Sequence, residues 1–262
     1  MLPLLAAHWR YIWLVLASFC AGVLNAMAGG GSFLSFPAML GVGVAPIQAN
    51  ATNTVALWPG QLTAVAALRS DLRRDLLPTI LLVSLVGGTT GAFVLLHTGQ
   101  AAFLHLIPWL LLTGALLFWA SAPVSHWLRS RGTSSAKPAP AKLSPVVVFL
   151  ALLPICFYIG YFGAGSGFLI MTALALLGME DVHQLNALKV VAACVANLCA
   201  TITFIATGFV LWHFCLISML FAATGGWVGA RYARRANPAI LRTVVVVTGL
   251  AIAAYFFYRQ HA

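Results

Sequence analysis

The sequence predicts an all-α polytopic membrane protein built from two repeats. Its 262 residues are 62% hydrophobic and only 7% charged, with a mean hydropathy of +0.99, whereas a soluble globular chain is typically about one-quarter charged. Stretches such as Leu76–Leu96 and Ala101–Ala120 contain no charged residue at all. Each is long enough to cross a hydrocarbon layer of about 30 Å as a helix. The lipid bilayer is therefore an expected partner of the chain.

Helical segments can be placed in order along the chain, five in each half. They are expected at 11–28, 33–43, 47–68, 76–97 and 101–120, and then at 145–161, 167–178, 184–208, 212–232 and 238–258. The second segment of each half is too short to cross alone, because about eleven helical residues span only about 16 Å. Each short segment also follows a glycine cluster. We therefore expect a broken or re-entrant helix in each half.

Four sequence patches of the first half recur in the same order in the second, at an offset of about 136 residues. The pairs are AGGGSFL (28–34) with GAGSGFL (163–169), QANATNTVA (48–56) with QLNALKVVA (184–192), GGTTGA (87–92) with GGWVGA (225–230), and Thr113-Gly114 with Thr248-Gly249. The pattern predicts transmembrane repeats at 1–120 and 145–262. The linker between them, 121–144, contains SRGTSSAKPAPAK, a composition typical of a flexible exposed loop.

The basic residues orient the two repeats and account for the net charge of +10. If Arg69–Asp75 lies inside, the linker and the loop 231–237 also lie inside. Of 14 Lys and Arg residues, 11 are then on the cytoplasmic side, as the positive-inside rule expects: Arg69, Arg73, Arg74, Arg129, Arg131, Lys137, Lys142, Arg231, Arg234, Arg235 and Arg242. The basic loops occupy different places in the two halves, which predicts an inverted repeat with both termini outside. No nucleic-acid partner is needed to explain the charge.

Two predicted helices, the third of each half, carry matched polar residues at i, i+3, i+7 and i+11, a spacing that puts them on one helix face. The first polar face consists of Asn50, Asn53, Leu57 and Gln61, and the second polar face of Asn186, Lys189, Ala193 and Asn197. One position differs in kind between the halves, because Asn53 corresponds to Lys189.

Lys189 is the strongest functional signal. Amides within a membrane can simply join helices, with hydrogen bonds worth about 0.6–2 kcal/mol, and this explains Asn50, Gln61 and Asn197 as well as a binding role does. A lysine at a helix centre costs about 2.5–3.5 kcal/mol and usually marks function. All four acidic residues lie in predicted loops. Lys189 could also snorkel to the inner end of its helix or pair with Glu180 or Asp181.

The glycine clusters favour an anion site. Glycine allows close backbone approach, and a helix beginning after such a cluster directs free N–H groups and a positive dipole end at the break. Serines at the two helix starts are expected to be caps or ligand donors, although a kink needed only for packing would look the same. We therefore expect one midplane anion site, without metal, cofactor or catalytic residue, drawn from Lys189, Asn186, Asn53, Asn50, Gly30, Gly31, Ser32, Gly165, Ser166, Gln61 and Asn197. The GGxxGA patches predict close helix packing.

These motifs carry a resemblance to a known family. GGGSFLSFPAML, then QANATNTVA about twenty residues after the glycines, then a GGxxGA helix, all repeated after a central loop, resemble the TauE/SafE family of anion transporters. The resemblance covers nearly the whole chain. It implies transport of sulfite, sulfonates or sulfoacetate-like organic anions by alternating access in the bacterial inner membrane. The chain departs from the family's usual Ala-Thr-Ser-like sequence at Ala51-Thr52-Asn53, and an asparagine there would alter substrate choice.

Three other classes of protein are compatible with parts of this pattern. An anion channel would share the basic residue but would lack saturable, alternating flux. An intramembrane serine protease would need GxSG, but the chain reads Ala164-Gly165-Ser166-Gly167 and lacks the first glycine. A passive structural membrane protein would not need Lys189. The sequence does not define an oligomeric state or a coupling ion.

Overall fold

The computed structural model describes residues 2–27, 30–131, 143–232 and 238–261. The ten α-helices of these residues are α1 (Leu2–Met27), α2 (Ser32–Gly41), α3 (Pro46–Ala67), α4 (Leu77–His97), α5 (Gln100–Arg131), α6 (Pro145–Tyr161), α7 (Ser166–Leu176), α8 (Val182–Ala206), α9 (Trp212–Tyr232) and α10 (Pro238–His261). A 3₁₀ turn at Arg69–Asp71 follows α3. The predicted all-α architecture with a short helix after each glycine cluster is confirmed.

Two helices are longer than the sequence pattern predicts. α1 begins at Leu2 rather than near residue 11. α5 continues to Arg131, so residues 121–131 are helical and the expectation of a loop there is wrong. Hydropathy ends near residue 120, and Pro123 disfavours a continuing helix, so the sequence pattern did not indicate this extension. The rest of the predicted linker, up to residue 142, lies outside the described residues.

The helices have the length and surface of membrane-spanning segments. Among the described residues, five helices are long and apolar enough to cross a bilayer: Trp9–Ala26, Leu77–His97, Gln100–Ala120, Val182–Ala206 and Trp212–Gly229. Their outward faces carry exposed large apolar side chains, for example Leu220, which is 61% exposed. Such faces are unfavourable in water but are normal for helices surrounded by lipid. The chain is therefore a multi-pass membrane protein.

The contacts between helices follow the internal repeat. α1 packs on α9 as α6 packs on α4, and α3 packs on α9 as α8 packs on α4. α5 contacts its own equivalent, α10, and α3 contacts its own equivalent, α8. Exchanging the first five helices with the last five therefore converts this set of contacts into itself. The molecule has the contact pattern of two equivalent halves.

The GGxxGA patches form the tightest helix contacts, as predicted. A Cβ atom added at Gly225 of α9 would lie 2.0 Å from the carbonyl oxygen of Phe19 in α1. A Cβ atom added at Gly91 of α4 would lie 2.1 Å from the carbonyl oxygen of Phe157 in α6. No side chain fits at either place, so the backbones of these helix pairs touch directly.

α3 and α8, the helices with the polar faces, run in opposite directions. The N–H of Leu211, just beyond α8, donates to Oγ1 of Thr52 near the start of α3 at 3.0 Å. The two helices cross at their middles, where Nε1 of Trp58 donates to the carbonyl oxygen of Cys194 at 3.1 Å. Antiparallel equivalent helices are what an inverted repeat requires. The side of the membrane that each end faces remains a prediction.

The loop after α3 is held by a local ion pair. Nη2 of Arg73 lies 2.9 Å from Oδ2 of Asp75, and Nε of Arg73 also donates to this carboxylate. These hydrogen bonds from Arg73 lower the pKa of the Asp75 carboxyl. Because Asp75 is exposed, the ion pair is screened by water and contributes little to stability. Its effect is confined to the shape of the loop.

Candidate functional site

Lys189 lies against the broken element of the second half. A Cβ atom added at Gly167, in the first turn of α7, would lie 3.4 Å from Cδ of Lys189 and 3.9 Å from its Cε. The lysine stem therefore lies within van der Waals range of the start of α7. The apolar part of the lysine is packed, and its ammonium end is next to the helix start.

The ammonium of Lys189 has no protein partner in the described part of the chain. Lys189 is partly buried, and among the described residues it forms neither an ion pair nor a side-chain hydrogen bond. The alternative of pairing with Glu180 or Asp181 is wrong among the described residues, since neither carboxylate forms an ion pair with Lys189. Oδ1 of Asp181 instead caps α8 by accepting from the N–H groups of His183 and Gln184 at 2.9 and 3.3 Å. Asn186, one turn before Lys189, likewise makes no side-chain hydrogen bond to any described residue.

The start of α7 offers free hydrogen-bond donors beside Lys189. The N–H of Ser166 is directed to the carbonyl oxygen of Gly163 at 3.4 Å, but the N–H groups of Gly167 and Phe168 have no hydrogen-bond partner among the described residues. The first N–H groups of a helix lack intrahelical partners, and they carry the positive end of the helix dipole. An ammonium and two free N–H groups therefore meet at one place, which is a chemistry suited to an anion.

Ser32 and Ser166 do not cap their helices, so the capping alternative is wrong, and their role as ligand donors stays a prediction. The residue before α7 is Gly165, with φ of +74°, and no side chain caps the helix. The hydroxyl of Ser166 donates to the carbonyl oxygen of Gly163 at 2.8 Å. α2 begins at Ser32 after Gly31 and also has no side-chain cap. Gly165 adopts a left-handed conformation that disfavours a side chain, whereas Gly31 is helical and a Cβ atom there would clash with the carbonyl oxygen of Ala21 in α1.

Most described backbone N–H groups at the start of α2 have hydrogen-bond partners within their own half. The N–H of Gly31 donates to Oδ1 of Asn25 at 3.1 Å. The N–H groups of Phe33 and Leu34 donate at 3.0 Å to the carbonyl oxygens of Gly30 and Gly31. Among the described residues, which leave out 28 and 29, the start of α2 therefore presents fewer free donors than the start of α7, although the glycine clusters look alike in sequence.

Asn50 and Asn53 of the first polar face are buried and paired, each being only 2% exposed. Nδ2 of Asn50 donates to the carbonyl oxygen of Tyr161 at the end of α6, at 3.1 Å. Oδ1 of Asn53 accepts a hydrogen bond from Oγ of Ser35 in α2. Asn50 thus links the two halves, whereas Asn53 links α3 to the short helix of its own half.

Gln61 and Asn197 meet at the crossing of α3 and α8. Nδ2 of Asn197 donates to Oε1 of Gln61 at 3.2 Å. Oδ1 of Asn197 also lies 3.8 Å from the place where a Cβ atom of Gly163 would be. These two amides join the halves next to the second glycine break.

The predicted site residues fall into two groups in this structure. Lys189 and Asn186 are grouped with the start of α7, whereas Asn53 is grouped with the first break. Asn53 and Lys189 each lie about 7.5 Å before the crossing on antiparallel helices, so their backbones are roughly 15 Å apart along the helix axes. Asn53 and Lys189 therefore do not surround the same binding position in this conformation. The free N–H groups expected at the helix start belong here to Gly167 and Phe168, neither of which is among the individually predicted site residues.

The family follows from a comparison of the whole chain with known proteins. Residues 14–256 match the family model described as sulfite exporter TauE/SafE. The chain belongs to the TauE/SafE family. The resemblance noted in the sequence motifs is thereby confirmed, and this TauE/SafE protein is a membrane transporter.

Relatives of this TauE/SafE protein carry transporter names. A probable membrane transporter protein, ORF9, of a Sinorhizobium species is 29% identical over 92% of this chain and 89% of its own length. A probable membrane transporter protein of Haemophilus influenzae is 26% identical over 92% of each chain. The probable membrane transporter protein YfcA of Escherichia coli K12 is 23% identical over 95% of this chain and 90% of its own. No solved structure matches the chain.

Proposed function

We propose that this TauE/SafE protein transports small sulfur-containing anions, such as sulfite, a sulfonate or a sulfoacetate-like organic anion. The transport is by alternating access at a site near the middle of the bacterial inner membrane. The family description as a sulfite exporter supports the substrate class. The single observation that carries the proposal is the unpaired ammonium of Lys189 lying along a glycine-led helix start.

Charge and hydrogen-bonding capacity support an anion over a cation or a neutral solute. A cation beside Lys189 would be repelled in a medium of low dielectric constant, whereas an anion would neutralise it. A hydrogen bond to a charged group contributes about 1.5–3 kcal/mol. The N–H groups of Gly167 and Phe168 and the amide of Asn186 add donors around the same position. A tetrahedral sulfur oxyanion has enough acceptor oxygens to engage several of these donors at once.

The balance of charge favours a substrate with one negative charge. All four acidic residues of the chain lie outside the helices that carry the polar faces. Lys189 is the only Lys or Arg residue of α8. A bound monoanion and the ammonium of Lys189 together carry no net charge. A bound dianion would leave one negative charge uncompensated within the membrane, which is unfavourable. Within the proposed class, a sulfonate or hydrogensulfite therefore fits better than a dianion.

The proposal is tested with purified protein and a panel of small anions. A bound anion raises the melting temperature, because a ligand at 100 times its Kd stabilises the folded state by about 2.7 kcal/mol. Methanesulfonate and hydrogensulfite should stabilise the protein at concentrations where chloride and sulfate do not. Reconstituted vesicles should then show saturable uptake and counterflow of the stabilising anion. Stabilisation by none of the sulfur oxyanions would contradict the substrate class, and non-saturable flux would favour a channel.

A further inference from the structure

The two polar faces differ in accessibility although they occupy equivalent positions. In the first polar face, Asn50 and Asn53 are 2% exposed and Leu57 is 6% exposed. In the second polar face, the equivalent residues Asn186, Lys189 and Ala193 are all partly exposed. The first polar face is thus buried where the equivalent part of the second is partly exposed, and we call the sides of the crossing that contain them the closed side and the open side.

One hydrogen bond distinguishes the closed half from the open half. Asn50 donates to the carbonyl oxygen of Tyr161 at the end of α6. The glycine patches are offset by 135 residues, from 28–34 to 163–169, so the residue equivalent to Tyr161 is Ala26 at the end of α1. Asn186, the equivalent of Asn50, makes no side-chain hydrogen bond among the described residues. Tyr161 is buried, whereas Ala26 is exposed. The hydrogen bond from Asn50 to Tyr161 is therefore present, whereas the equivalent bond from Asn186 to Ala26 is absent.

Two further bonds close the side that contains Asn50. Oγ of Ser35 donates to Oδ1 of Asn53, and the N–H of Leu211 donates to Oγ1 of Thr52 at 3.0 Å. The positions equivalent to Ser35 and Thr52 are Ile170 and Leu188, whose apolar side chains offer no hydrogen-bonding group. The chain therefore has more hydrogen bonds available to close the first side than the second, and this favours the conformation described here.

We propose that Asn50 and Asn186 are alternating latches, each closing one side of the transporter by donating to the backbone at the end of the opposite half's first helix. In the present conformation the Asn50 latch is closed and the Asn186 side is open. In the opposite conformation Asn186 donates to the carbonyl oxygen of Ala26, and the bond from Asn50 to Tyr161 is broken. By the charge distribution, the open side is the cytoplasmic side. This inference rests on alternating access in the proposed function.

The equivalent positions Leu57 and Ala193 provide matched reporters. Each is replaced by cysteine in a full-length chain whose five native cysteines are replaced by alanine. A membrane-impermeant maleimide is then added to one side of sealed vesicles without any substrate anion. Ala193→Cys should react from the cytoplasmic side, and Leu57→Cys should be nearly unreactive from the outside. Equal reactivity of the two reporters would overturn the assignment of an open side.

The latch itself is tested by adding Asn50→Ala to the Leu57→Cys chain. An interhelical hydrogen bond in a membrane is worth about 0.6–1.7 kcal/mol, so its loss should raise labelling of Leu57→Cys from the outside by about threefold to sixteenfold. Thr54→Ala is the matched control, because its hydroxyl donates only to the carbonyl oxygen of Asn50 in the same helix. Labelling that rises equally in both variants, or in neither, would overturn the latch.

A second variant keeps the test decisive if Asn50→Ala does not fold. Ser35→Ala removes another bond of the same closed side and should raise labelling of Leu57→Cys in the same direction. Conversely, Asn186→Ala should lower it, because the state in which Leu57 is accessible loses its own latch. No anion is present in these measurements. A failure of the anion proposal therefore leaves these labelling results unchanged. A failure of the latch proposal would instead appear as labelling that Asn50→Ala does not raise above the Thr54→Ala control, with anion binding unaffected.

Discussion

Asn197 donates a hydrogen bond to Gln61 at 3.2 Å, and these two residues occupy equivalent positions in the two halves of the chain. A contact between equivalent residues lies on or near the axis that relates the halves. The neighbouring contact from Trp58 to Cys194 also joins equivalent residues. The centre of the molecule is therefore a polar contact between α3 and α8 rather than an apolar one, and both helices are held at this point.

The first prediction concerns the strength of this central bond. Asn197→Leu should lower the free energy of unfolding, because it leaves the partly buried amide of Gln61 without its partner. The double variant with Gln61→Leu should recover part of the loss. The coupling energy from the four proteins of the cycle should be about 0.6–1.7 kcal/mol, measured by thermal unfolding in detergent. Gln48→Leu combined with Asn197→Leu serves as the control, and these two changes should be additive.

The second prediction concerns the glycines at the helix contacts. Gly91→Ala should greatly reduce the yield and melting temperature of the protein, because the added Cβ would lie 2.1 Å from a backbone oxygen of α6 and the helices would have to separate. Gly99→Ala is a matched control, since a Cβ atom there meets nothing within 4 Å. Similar melting temperatures for the two variants would show that α4 and α6 do not depend on this close contact.

The third prediction concerns orientation in the membrane. Cysteines introduced at the exposed loop positions Ser70 and Glu180 should react only from the cytoplasmic side, because these positions adjoin the end of α3 and the start of α8, which are antiparallel. Cysteines at Gly99 and Thr207 should react only from the outside. The measurement uses a membrane-impermeant reagent on intact cells and on inverted vesicles. Labelling of Ser70→Cys and Glu180→Cys from opposite sides would contradict the inverted repeat.

Local sequence pattern was sufficient for the helices and for the correspondence between halves. Hydropathy located the long helices. The matched spacing of Asn50 and Gln61 in one half and of Asn186 and Asn197 in the other located the two polar faces, because helix periodicity depends only on neighbouring residues. Hydropathy failed at the end of α5, since residues 121–131 form a helix that is not apolar. Amphipathic or polar extensions of a membrane helix are not visible in a search for apolar windows.

The contacts between distant helices could not be predicted from the sequence. Nothing local indicates that Ser35 bonds to Asn53, or that the stem of Lys189 lies on Gly167, because both contacts depend on how distant helices pack. The predicted set of binding residues also combined the two breaks into one site. Two antiparallel helices that cross at their middles instead separate Asn53 from Lys189. Only the three-dimensional arrangement distinguishes a paired, closed face from an unpaired, open one.

The last prediction concerns the charge of Lys189. Lys189→Met keeps an apolar stem along Gly167 and removes the ammonium, and methionine has nearly the same length. Loss of a charge-assisted hydrogen bond of about 1.5–3 kcal/mol should weaken anion binding by roughly tenfold to a hundredfold. The fold should be retained or stabilised, because a partly buried unpaired charge is removed from the membrane. Affinity and melting temperature are measured on the same preparation, with methanesulfonate as the anion.

Lys189→Arg separates charge from geometry at the same position. Arginine keeps the positive charge, but its planar guanidinium is broader than an ammonium and does not fit the same space beside the start of α7. Binding should therefore fall between that of the parent chain and that of Lys189→Met. If Lys189 instead extends to the membrane surface only to solvate its charge, Lys189→Met would change insertion or stability and leave affinity unaltered. Unaltered affinity in Lys189→Met would exclude Lys189 from the anion site, whatever the effect on stability.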